Sequence, residues 1–122
     1  MHPIYYECKR RFGVSWDGGV CCVYGDTAYC KYDLRPDVIA HESVHVRQQS
    51  EMGPMEWWKR YFADKKFRLE QEIEAYKEQM KFVRENCSRD FKRDILRKCA
   101  HDLAGPMYGN MITLSEAFSI LE

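Results

Sequence analysis

The stretch Ile39-Ala40-His41-Glu42-Ser43-Val44-His45 limits what this chain can fold into more than any other. It reads H-E-x-x-H, and in a helix the two histidines lie on one face about one turn apart, so both imidazoles can reach one metal ion while Glu42 projects beside it. Val38, His41, His45 and Gln48 share one stripe at helical spacing, where an ordinary helix would place core residues. The spacing therefore predicts a helix that turns metal-ligating chemistry inward. A catalytic zinc usually takes three protein ligands and leaves a fourth position to water, so a third His, Asp or Glu is required downstream.

The surrounding sequence supports that helix. Asp33-Leu34-Arg35-Pro36 marks its start, with proline near the first helical position, and Met52-Gly53-Pro54 ends it, so it should run from about Pro36 to Glu51. A short aromatic helix follows from Met55 to Ala63. Next comes a long one from Lys65 to Asn86, whose apolar positions Leu69, Ile73, Tyr76, Met80, Val83 and Cys87 recur at steps of three and four. Arg89 to Leu103 reads as a further helix, then the turn Gly105-Pro106-Met107-Tyr108-Gly109. Thr113-Leu114-Ser115-Glu116 is a capping box opening a terminal helix to Leu121.

Residues 4 to 32 carry β signals instead. Ile4-Tyr5-Tyr6, Arg11 to Val14, Val20 to Tyr24 and Ala28 to Tyr32 are rich in β-branched and aromatic residues, and Asp17-Gly18-Gly19 and Gly25-Asp26-Thr27 suit hairpin turns. The expected architecture is α+β: one domain over 1–122, with a β meander over 1–33 and a helical part over 34–122 carrying the metal site. A chain of 122 residues can build a hydrophobic core without staples.

Lys+Arg and Asp+Glu both number 19, so no broad field draws the chain to nucleic acid or to an anionic membrane. The N-terminus lacks the apolar run of a signal peptide and no segment approaches a membrane span, which sets the expectation of a soluble cytoplasmic protein. Cys8, Cys21, Cys22, Cys30, Cys87 and Cys99 form no C-x-x-C pair. They read as reduced thiols rather than as disulfides or a zinc knuckle.

For the third ligand, the long helix offers Glu70, Glu72, Glu74 and Glu78. At 100° per residue Glu72 falls about 55° from the centre of the buried stripe, Glu70 about 105°, and the others farther round. Glu72 is thus the candidate ligand, with Glu74 in reserve.

His41-Glu42-Ser43-Val44-His45 followed by Glu72-Ile73-Glu74-Ala75-Tyr76 resembles the gluzincin pattern H-E-x-x-H…E-x-x-A. The run from His41 to Gln49, Phe67 to Tyr76 and Gly105 to Gly109 is similar to small uncharacterised metallopeptidases common in bacteriophage genomes. The resemblance covers most of residues 36 to 118. It implies a minimal zincin-like fold, one Zn²⁺ held by His41, His45 and Glu72, and a home in the cytoplasm of a phage-infected bacterial host. Tyr76 stands where many gluzincins carry Asp or Asn, so the acceptor that supports a ligand histidine must come from elsewhere.

The chemistry expected of this set is hydrolysis of a peptide or protein amide, with Glu42 as general base and zinc lowering the pKa of water. Tyr108, in a Gly-Pro…Gly turn, is the candidate for stabilising the tetrahedral intermediate, with His101 as second choice. Extended substrate could pair with an edge strand near Ala28 to Tyr32. A different class of reading is a non-catalytic zinc-binding interaction protein on the same scaffold, for instance a phage factor binding a host protein. A third is a packed core without metal. Oligomeric state has no signature here.

Overall fold

The computed structural model describes residues 2–122; Met1 lies outside them. Those residues form six α-helices and one two-stranded antiparallel sheet, an α+β composition dominated by helix.

The N-terminal part departs from the expected meander. Pro3–Phe12 is a helix, α1, where two strands were expected over Ile4 to Tyr6 and Arg11 to Val14. Local devices override the β propensity of Ile4, Tyr5 and Tyr6. The His2 imidazole accepts a hydrogen bond from the Ile4 N–H, and Pro3 occupies the first turn, where its missing N–H is harmless. Glu7 pairs with Arg10 and Arg11 at the i+3 and i+4 positions. Ile4, Tyr5 and Cys8 turn inward, and Gly13 closes the helix in the left-handed region at φ 69°. The sheet that remains is a single hairpin, β1 Cys21–Tyr24 and β2 Thr27–Cys30, joined by Gly25-Asp26. Asp17-Gly18-Gly19 belongs to a turn leading from α1 to β1, not to a second hairpin.

The later helices follow the sequence pattern closely. They are α2 Pro36–Met52, α3 Pro54–Ala63, α4 Lys65–Asn86, α5 Arg89–Leu103 and α6 Leu114–Leu121, with a 3₁₀ turn at Pro106–Tyr108. Thr113 and Glu116 form the expected capping box of α6. None of the helices among the described residues is long and apolar enough to cross a membrane.

Two apolar clusters flank the site. One joins α4, α5 and α6 through Leu69, Met80, Val83, Leu103 and Leu121. The other lies beneath α1 and the hairpin, where Ile4, Cys8 and Cys22 meet Trp57, Trp58 and Phe67. Between them α2 packs along α4, and this contact is polar. The buried face of α2 holds Asp37, His41, His45, Gln48 and Gln49 with Val44 as its apolar member. On α4, Arg68, Glu72 and Gln79 line a second inward stripe beside the apolar one. Hydrophobic burial cannot align such faces. Hydrogen bonds do, since each buried polar atom left unpaired would cost about 1–3 kcal/mol, and among the described residues every buried side-chain N or O has a partner.

Candidate metal centre

Successive turns of α2 bring Nε2 of His41 and Nε2 of His45 to 3.2 Å. From α4, Oε1 of Glu72 lies 2.9 Å from His45 Nε2 and 3.2 Å from His41 Nε2. A tetrahedral zinc with bonds of about 2.0–2.1 Å separates its ligand atoms by about 3.3 Å. The three donors therefore stand close to the corners that such an ion requires.

The outer ring nitrogens determine what those donors carry. His41 Nδ1 lies 3.0 Å from Oε1 of Gln79, whose amide nitrogen donates to Asp37 Oδ2 at 2.8 Å. His45 Nδ1 lies 2.9 Å from Oε1 of Gln48, whose amide nitrogen donates to the Gln71 carbonyl and to Glu74 Oε1. In both cases the acceptors behind the amide orient it, so its oxygen meets the ring and Nδ1 carries the hydrogen. A neutral imidazole of that tautomer presents a bare lone pair at Nε2. Two such lone pairs and a carboxylate oxygen then converge on one point, an arrangement that needs a cation or a proton at its centre.

Further residues hold the carboxylates. Tyr61 donates to Glu72 Oε2 at 2.6 Å, leaving Oε1 for the centre. Arg35 holds Asp37, and Arg47 holds Glu74. Arg68, itself buried, donates to the carbonyls of Tyr61 and Met107, tying the end of α3 and the 3₁₀ turn to α4. Burial opposes the charged forms here, yet the mutual attraction of the groups prevails: Glu72 is held well below the usual carboxylate range by His45 and His41, and His45 is lifted to about 9 by Glu72.

Glu42 sits beside this triangle. His41, Glu42 and His45 each offer an atom within 4.8 Å of the others, a group able to hold a metal ion. Burial raises the Glu42 carboxyl above its ordinary value, partly countered by the two histidines. A cavity of about 450 Å³ reaches His41, Glu42, His45 and Glu72 and is also lined by Cys21, Cys22 and Val23 of β1. The strand at the cavity is thus β1, not the Ala28 to Tyr32 segment expected to present substrate. Its Val23 carbonyl already accepts from Trp58 Nε1 and Gln49 Nε2, both at 2.8 Å.

The other sequence candidates separate clearly. Tyr108 lines the same cavity and is 4% exposed; burial and the nearby Glu72 carboxylate push its hydroxyl well above the usual phenol range. His101 is exposed and borders a second cavity of about 390 Å³ instead. Glu74, the reserve ligand, is on the outer side as a buttress to Gln48. The rings of Tyr76 and His41 pack T-shaped at 4.5 Å between centroids, and the Tyr76 hydroxyl donates to Asp102.

Sequence reasoning missed Gln79, Asp37 and Tyr61. Two of these had a signal: Gln79 lies seven residues after Glu72 and Asp37 four before His41, on the same helical faces. Tyr61 had none, because its reach to Glu72 depends on how α3 folds back on α4. Comparisons with protein-family models, curated proteins and solved structures returned no match.

Proposed function

We propose that this chain is a zinc-dependent metallopeptidase of gluzincin type. The observation that carries the reading is the triangle of His41 Nε2, His45 Nε2 and Glu72 Oε1, with both histidine tautomers set from behind by glutamine carbonyls. Two imidazoles and one carboxylate form a donor set that suits zinc and leaves room for water.

When bound there, zinc supplies Lewis acidity, polarising a carbonyl and easing the ionisation of water. Glu42 accepts the proton of the water that attacks the amide carbon and returns it to the leaving amine. Its raised pKa suits both transfers. Tyr108 is held as a neutral phenol, able to donate toward developing negative charge. Peptide substrate enters the cavity between α2 and β1. Residence in a phage-infected bacterium belongs to the same reading.

The test is metal analysis of the purified protein together with a hydrolysis assay on a peptide library. One zinc per chain is expected, and Glu42→Gln should keep the metal while losing at least about a hundredfold in rate, the scale of a general base. Unchanged hydrolysis in Glu42→Gln would remove Glu42 from the mechanism. Zinc without hydrolysis in the wild-type chain would favour the non-catalytic interaction protein.

A further inference from the structure

The proposed zinc centre has its ligands on α2 and α4 and uses none of the six cysteines. Two of those cysteines are brought together by the hairpin itself. Cys21 of β1 stands directly opposite Cys30 of β2. The two-residue turn makes Tyr24 and Thr27 a hydrogen-bonded pair, so bonding alternates away from it: Cys22 with Tyr29 is bonded, Cys21 with Cys30 is not. The Val23 carbonyl, turned outward to Trp58 and Gln49, has the orientation this alternation requires. Non-bonded pairs hold their Cα atoms about 4.5 Å apart, at the short end of the disulfide range of about 4.4–6.8 Å. The two sulfurs lie near one another across the ladder.

Exposure distinguishes this pair from the other sulfur contact. Cys8 and Cys22 also meet, but they are 3% and 2% exposed. Cys21 and Cys30 are each half-buried and open to a small reagent. Thiol exchange requires access. Cys99 is buried, and Cys87 lies at the end of α4 away from the hairpin.

We infer that Cys21 and Cys30 form a reversible disulfide site, oxidised by a low-molecular-weight disulfide of the glutathione class. One thiol loses its proton and attacks the reagent's S–S bond, giving a mixed disulfide and releasing one glutathione thiolate. The partner thiol loses its proton and attacks the protein sulfur of that mixed disulfide, releasing the second. Two electrons pass from the protein sulfurs to the reagent, which ends as two thiols. The pair is partly exposed, so a reducing glutathione mixture reaches the link and reverses it. The site is a covalent clip on the strand that walls the cavity, and it stands independently of the metal reading.

The test equilibrates the whole protein with glutathione mixtures of increasing oxidised fraction, then quenches with acid, alkylates and maps peptides by mass. In the oxidising mixtures two thiols should become unavailable, mapped to a Cys21–Cys30 link, and dithiol treatment should restore both. Cys30→Ser should leave no intramolecular link, whereas Cys87→Ser should behave as wild type. Full alkylation of all six cysteines in the most oxidising mixture would overturn the inference, as would a link mapped to Cys8–Cys22 or one persisting in Cys30→Ser. Bound zinc, measured in the same samples, should be unchanged by oxidation. Absence of zinc would count against the metallopeptidase reading alone.

Discussion

The Nδ1 atom of His41 lies 3.0 Å from Oε1 of Gln79, and through this contact a neutral amide decides which nitrogen of His41 faces Glu72. The amide can do so because Asp37 takes its NH₂ group at 2.8 Å. A carboxylate thus acts on the histidine through an intervening glutamine. The same arrangement recurs on His45, with Gln48 and Glu74 in the two roles.

This relationship makes the glutamine a sensitive position. Gln79→Leu should weaken zinc binding by about ten- to a hundredfold, the usual effect of losing a support behind a ligand histidine, without unfolding the chain. Gln79→Glu returns an acceptor to Nδ1 but sets a second carboxylate oxygen against Asp37 Oδ2, which the Gln79 amide nitrogen meets at 2.8 Å, so it should recover only part of the affinity. Competition with a chromophoric chelator, alongside circular dichroism, checks both variants.

Removing the proposed third ligand should be more severe. Glu72→Ala is expected to bring zinc content from about one per chain to near zero, as measured by elemental analysis. It also leaves His45 and the Tyr61 hydroxyl without their buried partner. A thermal midpoint several degrees lower should accompany the loss.

Tyr61→Phe isolates the support of Glu72 from the ligand itself. The hydroxyl donates to a buried, charged carboxylate at 2.6 Å, a class of bond worth about 1.5–3 kcal/mol. Denaturant titration should show a stability loss of that order, with zinc still bound at saturating metal.

The metal-free protein should show a characteristic pH dependence. His45 is raised from 6.5 to about 9 in the folded chain, so its contribution is complete below 6.5 and disappears as pH rises through 9. Glu72 is depressed below its ordinary 4.5, so its contribution is present above 4.5 and disappears as pH falls below that value. Metal-free stability should therefore be greatest between these limits and decline toward alkaline pH. Thermal melts across that range check this, and zinc should flatten the alkaline decline by occupying the position of the proton.

What the sequence determined by itself was local. Helix starts and stops from Pro36 onward are written in proline, glycine and capping residues, and α4 and α5 have the bounds read from their periodicity. The i, i+4 spacing of His41 and His45 likewise puts both rings on one face of any helix that contains them. The Pro3–Phe12 helix was misread because Ile4, Tyr5 and Tyr6 favour strands in isolation, while its deciding features, the His2 cap and the Glu7 ion pairs, are weak signals until the helix exists.

Tertiary structure decided the rest. Only the packing of α4 against α2 brings Glu72 Oε1 to both histidines, and only that contact gives Gln48 and Gln79 their acceptors and donors. The return of α3 over α4 supplies the Tyr61 hydroxyl, and the attachment of the hairpin through Val23 places β1 rather than β2 at the cavity. The physical reason is the polarity of the α2–α4 interface. Hydrophobic periodicity reports burial of apolar side chains, whereas a buried polar face is aligned by hydrogen bonds whose partners lie tens of residues away.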